Sequence, residues 1–227
     1  MKKIIKLLSL IIVSISVYFI YINNCNKNIR ILNIGDGLSM GINSYGIDDY
    51  SYTDYYKEYL NKKNKKVEIN NRYTAKDQSI KIFYAILRNN NEVKKDLINS
   101  HILIVCLGFN DLLYKISIEQ NMNNNKLNKI VDEIDNNYNE MIKEIRKYYK
   151  EEIIVIGYYS PNTDNYYIDN GIRKLNRYLK NNKDIVYIDT YNEIKSEKYL
   201  PNPGSYYPNN RAYQLIASKI IAKTLEK

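Results

Sequence analysis

Short apolar runs rich in Ile and Val alternate with longer, more polar segments along most of the chain after residue 28. In the longer segments apolar residues recur at helical spacing, most clearly from Leu127 to Tyr149, whereas the short runs have the length and composition of strands. The predicted strands are Arg30–Ile34, Lys66–Asn70, His101–Leu107, Ile153–Tyr158 and Ile185–Ile188. The predicted helices are Tyr52–Lys62, Ser79–Asn89, Leu127–Tyr149, Gly171–Asn181 and Asn210–Lys227.

Strands that alternate with helices along a chain are typical of a parallel sheet with helices packed on both faces. We therefore expect an α/β fold, a three-layer α/β/α sandwich with a five-stranded parallel flavodoxin-like sheet, formed by residues 30–227 as one domain. Crossovers between parallel strands are right-handed, and functional residues of such sheets lie in the loops at the carboxyl ends of the strands. The candidate site is therefore expected at that edge of the sheet.

The N-terminal region has a different pattern. Three lysines within residues 1–6 precede an uncharged apolar run at residues 7–22. We expect residues 1–6 to be a cytoplasmic basic segment, residues 7–22 a transmembrane signal anchor and residues 23–29 a linker to an extracytoplasmic domain. No small-x-small cleavage site follows the apolar run, which favours an uncleaved anchor, while secretion after signal cleavage stays an alternative.

The charge balance indicates which partners the chain favours. It carries 34 Lys and Arg against 25 Asp and Glu, a formal net charge of +9 that is spread along its length. Diffuse positive charge favours anionic surfaces such as lipid headgroups, teichoic-acid-like polymers or nucleic acid, and it does not select among them. The sequence has no nucleic-acid-binding motif, so no nucleic-acid partner is expected. With one histidine, and with Cys106 in an apolar run where a buried thiol is expected, we expect no metal, no cofactor and no disulfide.

Three polar motifs follow predicted elements. Gly35–Gly41 (Gly-Asp-Gly-Leu-Ser-Met-Gly) follows the first strand, Gly108–Asp111 (Gly-Phe-Asn-Asp) follows the third, and Pro208–Tyr213 (Pro-Asn-Asn-Arg-Ala-Tyr) begins the last helix. In this order they resemble the motifs of the SGNH/GDSL hydrolases, which are Gly-Asp-Ser-Leu, Gly-x-Asn-Asp, and a late Asp and His before Pro-Asn-x-x-Gly-Tyr. On this resemblance the chain is identified as a member of that esterase and lipase family.

The resemblance implies a reaction in which a serine attacks an ester carbonyl, a histidine takes its proton and an aspartate orients the histidine. In this chain the nucleophile position is Gly37, the base position is Tyr207, and the orienting acid falls at Gly204 or Ser205. Glycine has no nucleophile, and a phenol with a pKa of about 10 is a poor base at neutral pH. We therefore expect no intact catalytic residue.

Parts of the surrounding scaffold survive. The resemblance implies an oxyanion hole or ligand pocket made by the backbone at Gly37, a second-motif glycine that is here replaced by Lys76, and the Asn110 side chain beside Gly108. The candidates for lining the pocket are Asp36, Ser39, Asp111, Tyr206 and Tyr207. Asp36, Gly108 and Asp111 also have structural uses, as caps of turns or helices and as a tight strand exit.

Ser39 and His101 are the residues that could replace the missing nucleophile and base. Ser39 lies two residues beyond the nucleophile position, and its ordinary role is in the loop or helix start, because a nucleophile elbow presents one position only. His101 begins the third predicted strand, at the edge opposite the strand carboxyl ends, where a surface or satisfied core histidine is expected.

Tyrosine abundance allows a binding hypothesis. The chain has 25 Tyr and no Trp, and six tyrosines fall near the candidate site. Tyr158 and Tyr159 close the fourth predicted strand, Tyr166 and Tyr167 lie in the next loop, and Tyr206 and Tyr207 lie in the loop of the base position. Their rings could stack on a sugar, but a compositional bias would place Tyr at exposed and half-buried positions equally well.

Together these patterns predict a membrane-anchored extracytoplasmic protein of the SGNH/GDSL hydrolase type, a pseudoenzyme that acts as a binding or scaffold module at the cell envelope. Two alternatives stay open. One is a residual or altered esterase that acts on acyl esters of glycans or lipids, and the other is a structural partner in an envelope complex. The expected partners are the membrane, a glycan or acyl-ester ligand, and an envelope protein.

Overall fold

The computed structural model describes residues 12–16, 28–73, 79–161 and 164–225. Within these ranges five strands form one parallel sheet in the order β2-β1-β3-β4-β5. The strands are β1 (Ile29–Gly35), β2 (Val67–Tyr73), β3 (Ile102–Cys106), β4 (Ile153–Ile156) and β5 (Ile185–Ile188). The helices that follow the start of β1 are α1 (Gly37–Met40), α2 (Tyr52–Lys62), α3 (Ser79–Asn89), α4 (Asn91–Asn99), α5 (Phe109–Ile118), α6 (Asn124–Tyr148), α7 (Tyr166–Asn181) and α8 (Asn210–Leu225).

The predicted α/β/α sandwich with a five-stranded parallel sheet is confirmed, because helices cover both faces of the sheet. Alternating residues of β1 supply the two cores. Ile31 packs with α2 and α8, including Tyr52 and Ile216. Leu32 and Ile34 pack with the helices of the opposite face. Burial of each large apolar side chain contributes about 1.5–3 kcal/mol, so these two cores hold the three layers together.

Helix α7 begins earlier than predicted. Asn165 caps it by accepting hydrogen bonds from the backbone N–H groups of Tyr167 (3.0 Å) and Ile168 (3.3 Å). Gly171, which was predicted to start the helix, lies inside it at a close contact, where an added Cβ would come within 2.9 Å of Leu112 Cδ1. The glycine therefore reflects packing against α5 and does not mark a helix boundary.

Three helices were not predicted: α1, α4 and α5. Helix α4 buries only Val93 and Leu97, so its apolar pattern is a single i, i+4 pair within an Asn- and Lys-rich segment. Helix α5 begins at Phe109, inside the Gly-Phe-Asn-Asp motif, where no helix was predicted.

The predicted cytoplasmic segment at residues 1–6, the anchor at 7–22 and the linker at 23–29 lie outside the described residues, apart from 12–16 and 28–29. Residues 12–16 are helical. In the part of the chain that the structure describes, no helix is both long and apolar enough to cross a membrane.

Candidate functional site

The first motif leaves the sheet at the carboxyl end of β1. Gly35 pairs with Cys106 of β3, and the Asp36 N–H donates to the Cys106 carbonyl at 3.2 Å. Asp36 then caps α1, because its Oδ1 accepts the N–H of Leu38 at 3.3 Å. Gly37, the nucleophile position, is therefore the first residue of a helical turn at the strand ends.

The second motif leaves the neighbouring strand β3 and starts α5. Gly108 has a φ of +107°, a conformation that favours glycine, and Asn110 and Asp111 lie in the first turn of the helix. Asp111 Oδ2 accepts a hydrogen bond from Ser79 Oγ at 2.6 Å, and Ser79 Oγ accepts the N–H of Gly108 at 3.3 Å. Ser79 thus ties α3 to this motif, a role that the sequence did not indicate.

Tyr207 occupies the space above Gly37. A Cβ placed on Gly37 would lie 2.2 Å from Tyr207 Oη and 2.7 Å from its Cζ. Real side-chain carbons do not approach other atoms this closely, so a serine at position 37 and the tyrosine ring cannot share this geometry. The residue at the base position therefore fills the place of the nucleophile.

The loop that carries Tyr207 is held by several hydrogen bonds. The N–H of Tyr207 donates to Ser205 Oγ at 3.1 Å, and Tyr159 Oη donates to the carbonyl of Tyr206 at 2.7 Å. Asn202 Nδ2 donates to the carbonyl of Ser44 at 2.8 Å, which joins this loop to the segment after α1. The backbone that carries Tyr207 is thus held by its own loop and by two neighbouring segments.

Burial governs the ionisation of the carboxyl group beneath Tyr207. Desolvation raises the pKa of Asp36 from its usual 3.8 to about 7, and the nearby Asp111 adds to the rise, while N–H groups of Leu38 and Asn110 oppose it. Within the described residues Asp36 Oδ2 has no hydrogen-bond partner. Burial, and then the charge of Asp36, raise the pKa of Tyr207 above its ordinary value, so the phenolate that could accept a proton is populated even less at neutral pH.

Ser39 lies in the core. It is fully buried, and its Oγ forms a 2.6 Å hydrogen bond with Tyr52 Oη, which in turn donates to Asn33 Oδ1 at 2.9 Å. Its side chain also packs on Gly35, where an added Cβ would come within 1.7 Å of Ser39 Oγ. Ser39 therefore has a structural partner and no open path to substrate.

The remaining predicted site residues separate into two groups. Asp36, Ser39 and Asp111 are buried beneath the surface. Asn110 and Tyr206 line an open cleft of about 530 Å³ between α5 and the start of α7, together with Leu113, Tyr114, Ile116, Ser117, Asn165 and Ile168. Gly204 is exposed and Ser205 is half-buried, and Lys76 lies outside the described residues.

The predicted cluster of tyrosines is only partly available to a ligand. Tyr158 and Tyr159 are buried, and the hydroxyl of Tyr158 donates to the carbonyl of Leu107. Both rings, and that of Tyr206, surround Phe109, with centroid distances of 6.2 Å. Phe109 is thus the centre of the aromatic packing, and the sequence did not single it out. Tyr206, with 43% of its surface exposed, is the member of this packing that a ligand could reach.

His101 lies at the start of β3, at the opposite edge of the sheet, as the sequence predicted. It is exposed, and its Nδ1 accepts the N–H of Arg30 at 3.1 Å. The described residues contain no group of three or more His, Cys, Asp and Glu side chains that could hold a metal ion.

The chain resembles known proteins along most of its length. The model of the GDSL-like lipase/acylhydrolase family matches residues 34–215. No curated protein sequence matches the chain.

Several solved structures have the same fold. The lipase Lip_vut3 from a goat rumen metagenome is 22% identical, with a TM-score of 0.74 and coverage of 86% of this chain and 96% of that one. The lipase/acylhydrolase from Enterococcus faecalis is 16% identical, with a TM-score of 0.60 and coverage of 86% and 94%. The acetyl xylan esterase AlAXEase is 15% identical, with a TM-score of 0.61 and coverage of 86% and 99%. At these identities the similarities concern the fold.

Proposed function

We infer that this chain, which belongs to the GDSL-like lipase/acylhydrolase family, does not perform the hydrolysis of its family and acts instead as a binding or scaffold module at the cell envelope. The observation that carries this proposal is the position of Tyr207, whose hydroxyl fills the place of the nucleophile at Gly37. The site has no serine that could attack a substrate carbonyl, and the Tyr207 ring occupies the space that a serine side chain would need.

The catalytic base and the carboxylate that would orient it are missing as well. A phenol whose pKa is raised by burial cannot serve as the base, and neither Gly204 nor Ser205 carries a carboxylate that could orient one. Loss of a whole triad removes many orders of magnitude in rate, and what is left is the modest acceleration from binding and a partial oxyanion hole. The replacement of the oxyanion glycine by Lys76 stays a prediction from the sequence.

A binding role is supported by the cleft beside Asn110. The cleft has about 530 Å³ of space, within the range of small-molecule sites, and it presents the Asn110 side chain and the exposed ring of Tyr206. Amide groups beside an aromatic ring suit a sugar that carries an acyl group. A protein of similar fold is an acetyl xylan esterase, so an acylated glycan is the ligand class that we propose.

The N-terminal sequence supports a proposal for the place of action. We propose that residues 7–22 anchor the chain in the cell membrane, with the N-terminus in the cytoplasm and the domain outside the cell. Secretion after signal cleavage is the alternative, and an envelope protein is the partner expected of a scaffold.

Calorimetric titration of the full chain with acetylated and deacetylated peptidoglycan fragments tests the binding role. We expect binding of the acetylated fragments, a loss of about tenfold or more in affinity with Asn110→Ala, and no change with Asn61→Ala on the distant helix α2. The absence of heat at millimolar concentrations of either fragment would remove the glycan from the proposal.

A further inference from the structure

The amino ends of the strands form the edge of the sheet opposite the candidate site. Because all five strands are parallel, every loop that enters a strand lies at this edge. The chain itself enters the domain here, at Ile29. The surface at this edge is called the entry edge below.

A cluster of lysines lies at one end of the entry edge. Lys62, Lys63, Lys65 and Lys66 fall within five residues, between the end of α2 and the start of β2. Lys62, Lys63 and Lys66 are exposed, and within the described residues none of these three forms an ion pair. Their charges are therefore available to an external anion.

Acidic residues also lie at this edge: Glu58 of α2 and Glu68 of β2 are exposed close to the cluster, whereas Glu151 and Glu152 lie farther along the sheet. Glu151 and Glu152 precede β4, which is separated from β2 by β1 and β3. With strands about 4.8 Å apart, β2 and β4 are about 14 Å from each other, beyond the Debye length of about 8 Å at physiological salt. The four lysines outnumber the two neighbouring glutamates, so the cluster keeps a net positive charge.

Apolar and aromatic groups accompany the lysines. Lys63 Nζ lies 5.9 Å from the centre of the Tyr59 ring, and Leu225 at the end of α8 is 62% exposed. Tyr59, Leu60 and Leu225 line a cavity of about 320 Å³ that opens at this edge and that Glu151 and Glu152 line on its other side. Lysines with an aromatic ring and aliphatic side chains beside them are suited to the boundary between water and lipid.

The length of chain before β1 limits how far this edge can be from a membrane. Six residues, 23–28, separate the apolar run from Ile29. A fully extended chain spans at most about 3.6 Å per residue, so the entry edge lies within about 22 Å of the bilayer if the run spans it.

We propose that the entry edge docks on a bilayer of anionic lipids through Lys62, Lys63 and Lys66. This inference rests on the proposed attachment of the chain to the membrane. Charge complementarity and the short tether favour a lipid surface as the occupant, because the tether keeps the lysines at high local concentration above the headgroups. The candidate site then points away from the membrane, since the seven residues of β1 place its carboxyl end about 23 Å from the entry edge.

Lysine acetylation followed by mass spectrometry tests the docking. The full chain is placed in nanodiscs of phosphatidylcholine alone or with about 30% phosphatidylglycerol. We expect Lys62, Lys63 and Lys66 to react about threefold or more slowly in the anionic discs, and this protection to disappear at about 0.5 M NaCl. Lys195 and Lys198, which are exposed beyond the carboxyl end of β5, serve as references whose rates should not change.

Two matched double variants test which lysines are responsible, and the acetylation rate of Lys66 is measured in both. Lys62→Glu/Lys63→Glu should return Lys66 to its rate in zwitterionic discs, whereas Lys195→Glu/Lys198→Glu, with the same change of charge, should leave Lys66 protected. Equal reactivity of Lys66 in both kinds of disc, with the chain attached, would overturn the docking alone. Elution of the chain apart from both kinds of disc would contradict attachment and docking together, and elution with anionic discs only would support docking and contradict the anchor.

Discussion

The hydroxyl of Tyr207 lies where the first side-chain atom of residue 37 would have to be, with 2.2 Å between Tyr207 Oη and a Cβ built on Gly37. The missing nucleophile and the missing base are therefore structurally coupled, because the residue that replaced one occupies the space left by the other. Tyr207 fits beside Gly37 but not beside a serine at position 37.

This contact predicts strong coupling between the two positions. Gly37→Ala should lower the free energy of unfolding by about 1–3 kcal/mol, because the added methyl group has to displace the Tyr207 ring. In a Tyr207→Ala background the same change should be neutral or stabilising by up to about 1 kcal/mol, since alanine favours the helical turn of α1. A double-mutant cycle measured by urea unfolding gives the coupling energy.

Tyr206→Ala is the matched control for that cycle. Tyr206 is the neighbouring tyrosine, and none of the three atoms nearest to a Cβ built on Gly37 belongs to it. Gly37→Ala and Tyr206→Ala should therefore be additive within about 0.5 kcal/mol. Additivity of Gly37→Ala with Tyr207→Ala as well would show that the ring does not fill the nucleophile position.

The buried carboxyl group of Asp36 predicts a particular dependence of stability on pH. Its pKa is raised in the folded state, from 3.8 to about 7, so between these values the unfolded chain loses the proton while the folded chain keeps it. Stability from this group is fully present below about pH 3.8 and is lost as the pH rises to about 7. The total loss is on the order of 4 kcal/mol.

Asp36→Asn tests this dependence. The amide keeps the cap on Leu38 N–H and does not ionise, so the variant should gain on the order of 4 kcal/mol relative to the wild type between pH 3.5 and pH 8. Urea unfolding at about five pH values in this range measures the difference. Asp48→Asn is the control for loss of an exposed carboxylate. If the difference in the free energy of unfolding between Asp36→Asn and the wild type is the same at every pH, the pKa of Asp36 is not raised.

The Asn33–Tyr52–Ser39 network predicts a cost for the loss of one buried hydroxyl. Tyr52→Phe leaves Asn33 Oδ1 and Ser39 Oγ without their partner in a site from which water is excluded. We expect the free energy of unfolding to fall by about 1–3 kcal/mol. Tyr50→Phe, at a ring that is 50% exposed, should change it by less than about 0.5 kcal/mol, and equal effects of the two would argue against the network.

Restoring the missing groups together should create a measurable esterase. In Gly37→Ser/Gly204→Asp/Tyr207→His the smaller imidazole ring leaves space for the serine, and Gly204 tolerates a side chain because its nearest neighbour, Asn202 Oδ1, is 3.4 Å from an added Cβ. We expect ester turnover above the wild type, limited by Lys76, and a further rise with Lys76→Gly. The same combination with Gly37→Ala in place of Gly37→Ser should be inactive.

The fold could be predicted from the sequence because its strands are short apolar runs and its main helices have a regular apolar face. Helix α2 and helix α3 have the predicted ends, since Ser51 and Asp54 form a capping box for the first and an apolar pattern marks the second. The motifs also placed Gly37, Asn110 and Tyr207 at the strand ends. Their contacts could not be predicted, because the sequence does not say whether a tyrosine ring points into the cleft or away from it.

The same limit applies to the other aromatic residues. Tyr158 and Tyr206 fall in loops of similar composition, yet the first is buried against Phe109 and the second is exposed. The burial of each tyrosine depends on how its loop packs against α5. That tertiary packing cannot be predicted from the local sequence. The burial of Ser39 has the same origin, since its partner Tyr52 comes from another helix.

Hydrolysis of p-nitrophenyl acetate by the full chain tests the central claim most directly. The claim predicts no turnover above the rate of hydrolysis in buffer, for both the wild type and Ser39→Ala. Turnover by the wild type that is saturable and that disappears in Ser39→Ala would contradict it, because it would mean that a serine buried in the core reaches the substrate and performs the family's reaction.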